Sequence, residues 1–378
     1  MTVVRLGTVC SQVRESIKPG ERAALRYVGM ESIESGTGRF LEGGLSKTPE
    51  SPLANSFRFG PEHVLYGKLR PYLNKVALPD FEGKCSTEIV PLKVNATVDR
   101  RYLAYFLRCP DVVRVISDKT AGSRMPRADM AFVLSLPFLL RDLSEQSRIV
   151  DLLTRAESIL RLRREAEKKT AELVPALFLQ MFGDPVTNPK GWRQHLFSEV
   201  GVLDRGRSRH RPRDAAELYG GPYPFIQTGD VSNSGGTISS CVNTYSEQGL
   251  SQSKLWAPGT LCITIAANIA RTAVLNISAC FPDSVVGFVA GDMVCTRYVQ
   301  TWLDFLQPTL EMHAPQAAQK NINLEILRNL PISVPPKNLQ EAFVFRFETL
   351  RALQSQQAAA TAQAQASFDA LLARAFAA

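Results

Sequence analysis

Two hydrophobic patterns alternate along the chain. Over residues 1–142, short apolar runs such as Leu25–Met30, His63–Tyr66 and Glu88–Val94 lie between clusters of Gly, Pro, Ser and Asn. That is the signature of short strands joined by turns. Arg101–Leu107 is more helical, and the run Ala131–Leu140, with Pro137 inside it, closes the block. From Leu143 the period changes. Ile149, Leu152/Leu153, Ala156, Ile159/Leu160, Arg163, Ala166, Thr170, Leu173 and Leu177 recur at spacings of three and four. This predicts a helix over 143–183 with an apolar seam of about four heptads. Arg161–Lys169 supplies its charged face. Ser144 with Gln146 and Ser147 marks the start, and Gly183-Asp184-Pro185 the stop. Pro175 removes one helical hydrogen bond and clashes with the turn before it, so a kink is expected there.

Residues 184–192 are a linker of turn formers. A second mixed, strand-rich domain runs over 184–337 and is richer in Gly and Ser. In the last segment, 338–378, Phe343, Phe347, Leu350 and Leu353, then Phe368, Leu371 and Leu372, flank Gln354–Ala366, which holds only Ala, Gln, Ser and Thr. A disordered tail and a helix both fit this composition. The helix propensity of Ala and Gln and the apolar anchors at both ends favour a helix.

The two mixed stretches say nearly the same thing. Residues 58–150 and 255–345 run in register at an offset of about 195. Pro61-Glu-His-Val-Leu-Tyr meets Pro258-Gly-Thr-Leu-Cys-Ile, and Arg101-Tyr-Leu-Ala-Tyr-Phe-Leu meets Arg297-Tyr-Val-Gln-Thr-Trp-Leu. Met130-Ala-Phe-Val-Leu-Ser-Leu-Pro meets Leu324-Glu-Ile-Leu-Arg-Asn-Leu-Pro, and Tyr27-Val-Gly-Met-Glu meets Ile226-Gln-Thr-Gly-Asp. Solenoid periods lie near 20–50 residues, so a repeat this long is a duplicated domain. Two similar but diverged domains suit a two-part target.

The 378 residues carry a net charge of +8, and 45% are hydrophobic. Residues 1–182 hold 28 Lys and Arg against 21 Asp and Glu, while residues 183–378 hold 16 against 15, so the basic excess sits in the first half. A positive field favours a polyanion such as nucleic acid; a basic protein without such a partner is the alternative. Seven cysteines without a C-x-x-C pair, and four histidines without metal-site spacing, argue against zinc and against a disulfide framework. Reduced thiols, the absence of a signal pattern and the lack of a long apolar run point to the cytoplasm.

Catalytic signatures are missing. There is no P-loop and no G-x-S-x-G elbow. Asn188-Pro-Lys-Gly lacks the second Pro and the aromatic of the amino-methyltransferase motif. Pro79-Asp-Phe-Glu-Gly-Lys84 holds its Asp and Glu-x-Lys too close for a nuclease core and reads as a hairpin turn. The basic clusters are more informative. Arg205, Arg207, Arg209, Arg211 and Arg213 fall within nine residues that also hold Gly and Pro, hence a loop. Arginine forks suit phosphates and guanine edges. Lys68, Arg70 and Lys75 interleave with Tyr72. Their counterparts lie at 265–272, where Arg271 remains and Asn268 is of a type that pairs with adenine. The polar loop of Ser123, Arg124 and Arg127 aligns with Gln319, Lys320 and Asn321. A solvated charge run or a structural turn is the alternative for each.

Taken together, Lys68-Leu-Arg-Pro-Tyr, Glu145-Gln-Ser-Arg-Ile-Val, Thr170-Ala-Glu-Leu, Met181-Phe-Gly-Asp-Pro, Gln319–Ile332 and Leu371-Leu-Ala-Arg-Ala-Phe resemble the DNA specificity subunit of type I restriction-modification systems. The resemblance covers essentially the whole chain. It departs in the first polar loop, Ser-Arg-Met-Pro-Arg in place of Gln-Lys-Asn, and at Leu339-Gln340 in place of Glu-Gln. It implies an α+β fold: two duplicated mixed α/β target-recognition domains (1–142 and 184–337) separated by two long antiparallel, coiled-coil-like helices (143–183 and 338–378). Ile149, Leu152, Ile159, Leu173, Leu177, Phe343, Phe347, Leu350 and Leu371 are the expected pairing residues. It further implies a non-catalytic chain without a cofactor of its own, reading a bipartite double-stranded DNA target. Two methyltransferase subunits using S-adenosylmethionine are the expected partners, with motor-nuclease subunits as further ones. A coiled-coil protein adaptor and a DNA-modifying enzyme with unrecognised motifs are the competing classes.

Overall fold

The computed structural model describes residues 2–18, 25–41, 43, 45, 55–120, 124–266, 269–313 and 322–377. The chain divides into two compact units, residues 1–165 with 358–378, and residues 166–357.

The first unit holds two four-stranded sheets. One runs in the order Cys10–Gln12, Ile89–Val94, His63–Gly67, Val76–Ala77, the other in the order Ser16–Ile17, Ser56–Phe59, Gly83–Ser86, Arg26–Val28. His63–Gly67 is buried at every position, which is why it reads as a continuous apolar run rather than an alternation. The Pro79–Glu82 segment is not the expected hairpin turn, because the strands on either side of it belong to different sheets. Helices Arg100–Arg108 and Met130–Ser135 start on Asp99 and Asp129, whose carboxylates accept from the main chain of Arg101 and Ala131. Pro137 opens the strand Pro137–Leu140, which pairs antiparallel with Thr2–Arg5; a first strand position tolerates the missing donor.

The central helix runs from Leu143 to Ala171. Its cap is Asp142, two positions before Ser144. The Asp142 carboxylate accepts from the Ser144 hydroxyl at 2.6 Å and the Glu145 amide at 2.9 Å. Those bonds, the hydroxyl first, hold its pKa below the usual carboxylate range. One turn in, Gln146 is fully buried. Its amide donates to Thr97 O and Arg141 O, both at 2.8 Å, and accepts from Asp99 N at 2.8 Å. One side chain thus joins the end of the last strand, the start of the helix and the start of helix Arg100–Arg108. Tyr102 of that helix donates to Leu139 O at 3.0 Å.

The second unit is built around a five-stranded sheet in the order Gly201–Arg205, Val285–Ala290, Leu261–Thr264, Thr272–Leu275, Thr237–Ile238, the last pairing parallel. Gln194–Leu196 pairs antiparallel with Pro331–Ser333. Helix Thr296–His313 packs on the sheet, with Tyr298 donating to Ser333 O at 2.5 Å. The distal helix, Lys337–Phe376, is 40 residues long. Near its start, fully buried Gln340 donates to Met293 O at 3.0 Å and Pro335 O at 2.8 Å, and accepts from Cys295 N at 2.9 Å. The Asn188-Pro-Lys-Gly-Trp linker is a helix cap. Lys190 Nζ donates to Gln180 O and Met181 O, and Trp192 Nε1 to Phe182 O. A cation at a helix C-terminus offsets the partial negative charge of its carbonyls.

Each unit contains antiparallel helix packing of its own. In the first, Arg141 donates to Ala375 O at 3.3 Å and Arg164 to Gln365 at 2.8 Å. Ile149, Leu153 and Leu160 share a core with Phe368 and Leu372, and Leu371 packs against it. In the second, Gln354 donates to Thr170 O at 2.9 Å, and Phe178 and Phe182 meet Phe343 and Phe347, with Leu177 beside them. Leu350 is half-buried. Three expected pairing residues do not pack: Leu152, Ile159 and Leu173 are 47%, 51% and 44% exposed. Neighbours on a helix lie about 100° apart, so Leu153 and Leu160 take the inner positions and their predecessors face solvent. The helix ends at Ala171 and a second, Leu173–Phe182, follows. The break falls at the carbonyl that Pro175, four residues on, has no N–H to reach.

Substituting Gln146 or Gln340 by Ala leaves a buried N–H and two carbonyls without their partner. Each change should cost at least about 2–3 kcal/mol, seen as a lower urea midpoint for the unit that carries it. Glu145→Ala, which breaks only the ion pair with exposed Arg148 one turn on, should cost less than about 1 kcal/mol. Wild-type midpoints in both glutamine variants would remove the amide from the account.

Candidate nucleic-acid interface

In the first unit the two basic segments come together. Arg70 N donates to Pro126 O at 2.7 Å, Ala128 N donates to Lys68 O at 2.8 Å, and Leu69 and Arg127 form an antiparallel bridge. Arg70 and Asn74 adopt positive φ on either side of the short turn Pro71–Leu73, which leaves Tyr72 56% exposed. The result is a platform carrying Lys68, Arg70 and Arg124, whose side chains make no hydrogen bond or ion pair among the described residues. Tyr72 and Met125 stand exposed beside them. Free cations next to an aromatic face suit a phosphate backbone and unstacked bases.

Two expected cations of this surface are already engaged. Arg127 grips Glu88, with Nε 3.0 and 3.1 Å and Nη2 2.9 Å from the carboxylate. That pairing raises the guanidinium pKa and cancels its charge toward a ligand. Lys75 Nζ is 2.5 Å from Met30 O. Burial lowers its pKa, with Glu31 opposing, so Lys75 serves as a staple between loops. Ser123 lies outside the described residues.

In the second unit the arginine cluster is an extended segment. Arg205, Arg207 and Arg209 are exposed and alternate with buried Gly206 and Ser208, so their side chains share one face. The main chain is held by Gly206 N to Val285 O at 2.9 Å, Arg207 N to Phe281 O at 3.0 Å and Ser253 Oγ to Arg207 O at 2.9 Å. None of the three guanidinium groups has a hydrogen-bond or ion-pair partner among the described residues. The next two are spent. Arg211 Nη1 donates to Ser208 O and His210 O, both at 2.8 Å, and Arg213 forks onto Asp283 at 3.0 and 3.1 Å. Two arginines therefore shape the loop that presents the other three.

Arg205 also borders a cleft of about 320 Å³ lined by Ile265, Ala266, Asp283, Ser284, Ile322, Asn323 and Ile326. Ile322 N donates to Ile265 O at 3.1 Å, tying together the flanks of the segments that carry Asn268 and Gln319–Asn321. Asn268, Gln319, Lys320 and Asn321 themselves lie outside the described residues. Exposed Arg271 closes a hairpin through its amide on Thr264 Oγ1 at 3.0 Å. Sequence reasoning passed over Glu88 and Asp283, the acids that neutralise Arg127 and Arg213. Tyr72 entered it only as part of a motif, although an aromatic between Arg-Pro and Asn-Lys was the visible signal. Among the described residues no group of three or more His, Cys, Asp or Glu is placed to hold a metal ion, and no helix is long and apolar enough to cross a membrane.

Comparison with known proteins finds a likeness over part of the chain. Residues 189–361 match the type I restriction modification DNA specificity domain. The type I restriction enzyme EcoDI specificity subunit of Escherichia coli is 24% identical over 165 residues, 43% of this chain and 36% of that protein. The match thus spans about a third of the relative's length. Among solved structures, a chain from a study of complex assembly and conformational transition of the type I R-M system aligns over 99% of this chain and 97% of its own, with a TM-score of 0.66 and 22% identity. The type I restriction-modification S subunit of M. genitalium aligns over 100% and 96%, with a TM-score of 0.61 and 12% identity. At these identities the structural likeness speaks for the fold.

Replacing Arg205, Arg207 and Arg209 together by Ala should weaken DNA binding. The dependence of log affinity on log salt should flatten by about one for each phosphate that is no longer neutralised, up to about three. Where one of them reads guanine, about 1–3 kcal/mol of discrimination should vanish at a single base position. Fluorescence-anisotropy titrations at several salt concentrations measure both. Affinity and slope equal to wild type would reduce the cluster to a solvated face.

Proposed function

We propose that this chain is a member of the type I restriction-modification DNA specificity family and plays the part of a specificity subunit with two recognition halves, each reading one word of a bipartite target. One observation carries this reading. The matched region, residues 189–361, contains Gln340 with its three main-chain bonds, the Tyr298–Ser333 bond and the strand pair Gln194–Leu196 with Pro331–Ser333. Residues 2–165, outside that match, contain Gln146 with three bonds of the same kinds, Tyr102 on Leu139 O, and the strand pair Thr2–Arg5 with Pro137–Leu140. This supports a second specificity domain in the first half of the chain, with a different set of free cations.

In this reading the chain performs no chemistry. Its Lys68–Arg70 platform and its Arg205–Arg209 face dock on DNA, and the long helices set the distance between the two words. Methyl transfer belongs to two partner subunits that bind S-adenosylmethionine, one for each half; motor-nuclease subunits are further partners. Steep salt dependence of DNA binding separates this reading from a protein-only adaptor, which neutralises no phosphates.

A methylation map of the host genome, compared with a strain lacking the chain, should show loss of one two-word motif. The mass of the complex at saturating methyltransferase should correspond to two such subunits per chain. A one-to-one mass, or a single continuous motif, counts against the two halves. Repeating Thr170-Ala-Glu-Leu173 adds four residues, about 6 Å and 40° of helix. DNA rises about 3.4 Å per base pair, so the spacer should change by one or two base pairs and the words should stay. Changed words with the old spacer, or a wholly unchanged site, would sink the role of the helices as a ruler.

A further inference from the structure

Beyond the buried glutamine, each long helix grips its own unit at a second point, through a glutamate and an arginine. In the first unit Arg108 Nη2 lies 2.5 Å from Glu157 Oε1 on the central helix, and the second carboxylate oxygen accepts from the Tyr105 hydroxyl at 3.0 Å. The Arg108 side chain is 9% exposed. Its Nε donates to Gly36 O at 3.0 Å. Gly36 N in turn donates to Asn74 O at 3.0 Å, and Asn74 Nδ2 donates to Arg108 O at 3.1 Å. A closed ring of bonds therefore leads from the helix to the loop that carries Lys68 and Arg70. Gly36 sits at φ +77°, in a turn where a side chain would be strained.

The second unit builds the same connection from different positions. Arg297, whose side chain is 12% exposed, donates through Nε to Glu348 of the distal helix at 2.8 Å. Its other nitrogens reach Gly236 O at 3.0 Å, Gln300 at 2.8 Å and Thr237 Oγ1 at 3.0 Å. Arg351 of the same helix donates to Gly235 O. Thr237 opens the strand that pairs with Thr272–Leu275, directly after Arg271. Here too a glycine turn and an arginine link a helix carboxylate to a basic hairpin.

We propose that Arg108–Glu157 and Arg297–Glu348 are positioning pairs that fix the angle at which each recognition half is held on its helix, and thereby the spacing at which the two DNA words are accepted. The proposal rests on the bipartite reading above. Its scale follows from the geometry. Gln146 and Glu157 are 11 residues apart, a lever of about 16 Å; Gln340 and Glu348 are 8 apart, about 12 Å. A charged hydrogen bond is lost once it lengthens by about 1 Å, so the second grip limits tilting to about 4–5° on such levers. Moving one word by a base pair turns it by about 35° around the duplex. With both grips closed, a neighbouring spacing is out of reach; with one opened, the half pivots on its glutamine.

The test uses the full chain in complex with its methyltransferase partners. Glu157→Gln and Glu348→Gln keep side-chain size and remove the charge. Methylation is mapped genome-wide, and the readout is the ratio of modification at sites with the cognate words and a spacer one base pair off to that at cognate sites. Losing the charged bond should raise this ratio by about tenfold for Glu157 and by about two- to fivefold for the more exposed Glu348, with both words unchanged. Glu165→Gln breaks only the exposed pair with Arg161 on the same helix and should leave the ratio alone. If Glu157→Gln yields no active complex, Tyr105→Phe, which deletes one bond to Glu157, is read in its place. A fall in methylation that is equal at all spacers, an unchanged ratio, or altered words would overturn the positioning role. A wild-type motif that is not bipartite would remove the functional reading and this inference together, whereas a bipartite motif with unchanged ratios removes the inference alone.

Discussion

A buried primary amide with all its bonding capacity in use is the constraint on which each half of this molecule turns. Gln146 and Gln340 are fully buried, and an unpaired amide in that position would cost about 1–3 kcal/mol per orphaned group. Three separate pieces of chain must therefore arrive together: the end of a strand, the first turn of a long helix, and the residues just before the helix that covers the sheet. Once they do, Tyr102 and Tyr298 lie where their hydroxyls reach the neighbouring strand carbonyls. The aromatic cores around Phe106 with Phe138 and around Phe178 with Phe343 close over the same junctions.

Much of this architecture was legible in the sequence because its signals are local. The switch from short apolar runs to a three-and-four spacing at Leu143 marked the start of the central helix. The anchors at Phe343 and Leu372 outweighed the bland middle of the distal helix. Pro175 announced its break, which falls at Ala171 because the missing N–H is felt four residues upstream. What failed depended on partners far away. Leu152 and Leu153, or Ile159 and Leu160, are equal candidates in a doublet until the opposing helix chooses one. The Pro79–Glu82 bend looked like a hairpin because nothing local says that its flanking strands join different sheets.

The candidate interface shows the same limit in electrostatic form. A run of arginines does not say which are free. Arg127 is neutralised by Glu88, 39 residues away, and Arg213 by Asp283, 70 residues away. Arg211 is consumed by carbonyls of its own loop. By contrast Arg205, Arg207 and Arg209 keep their charge because an extended segment with buried Gly206 and Ser208 turns all three to one side. The alternation itself was visible in the sequence; the pairing that removed the other two was not.

Every partner of Gln146 and Gln340 is a main-chain atom, and so are the carbonyls of Gly36 and Gly236 that Arg108 and Arg297 engage. Main-chain groups are common to all residues. At these bonds the attachment is accordingly blind to the identity of the side chains around it and asks only that the backbone trace be kept, while the carboxylates of Glu157 and Glu348 supply its side-chain part. Such a joint leaves the side chains around it free to diverge without renegotiating those bonds.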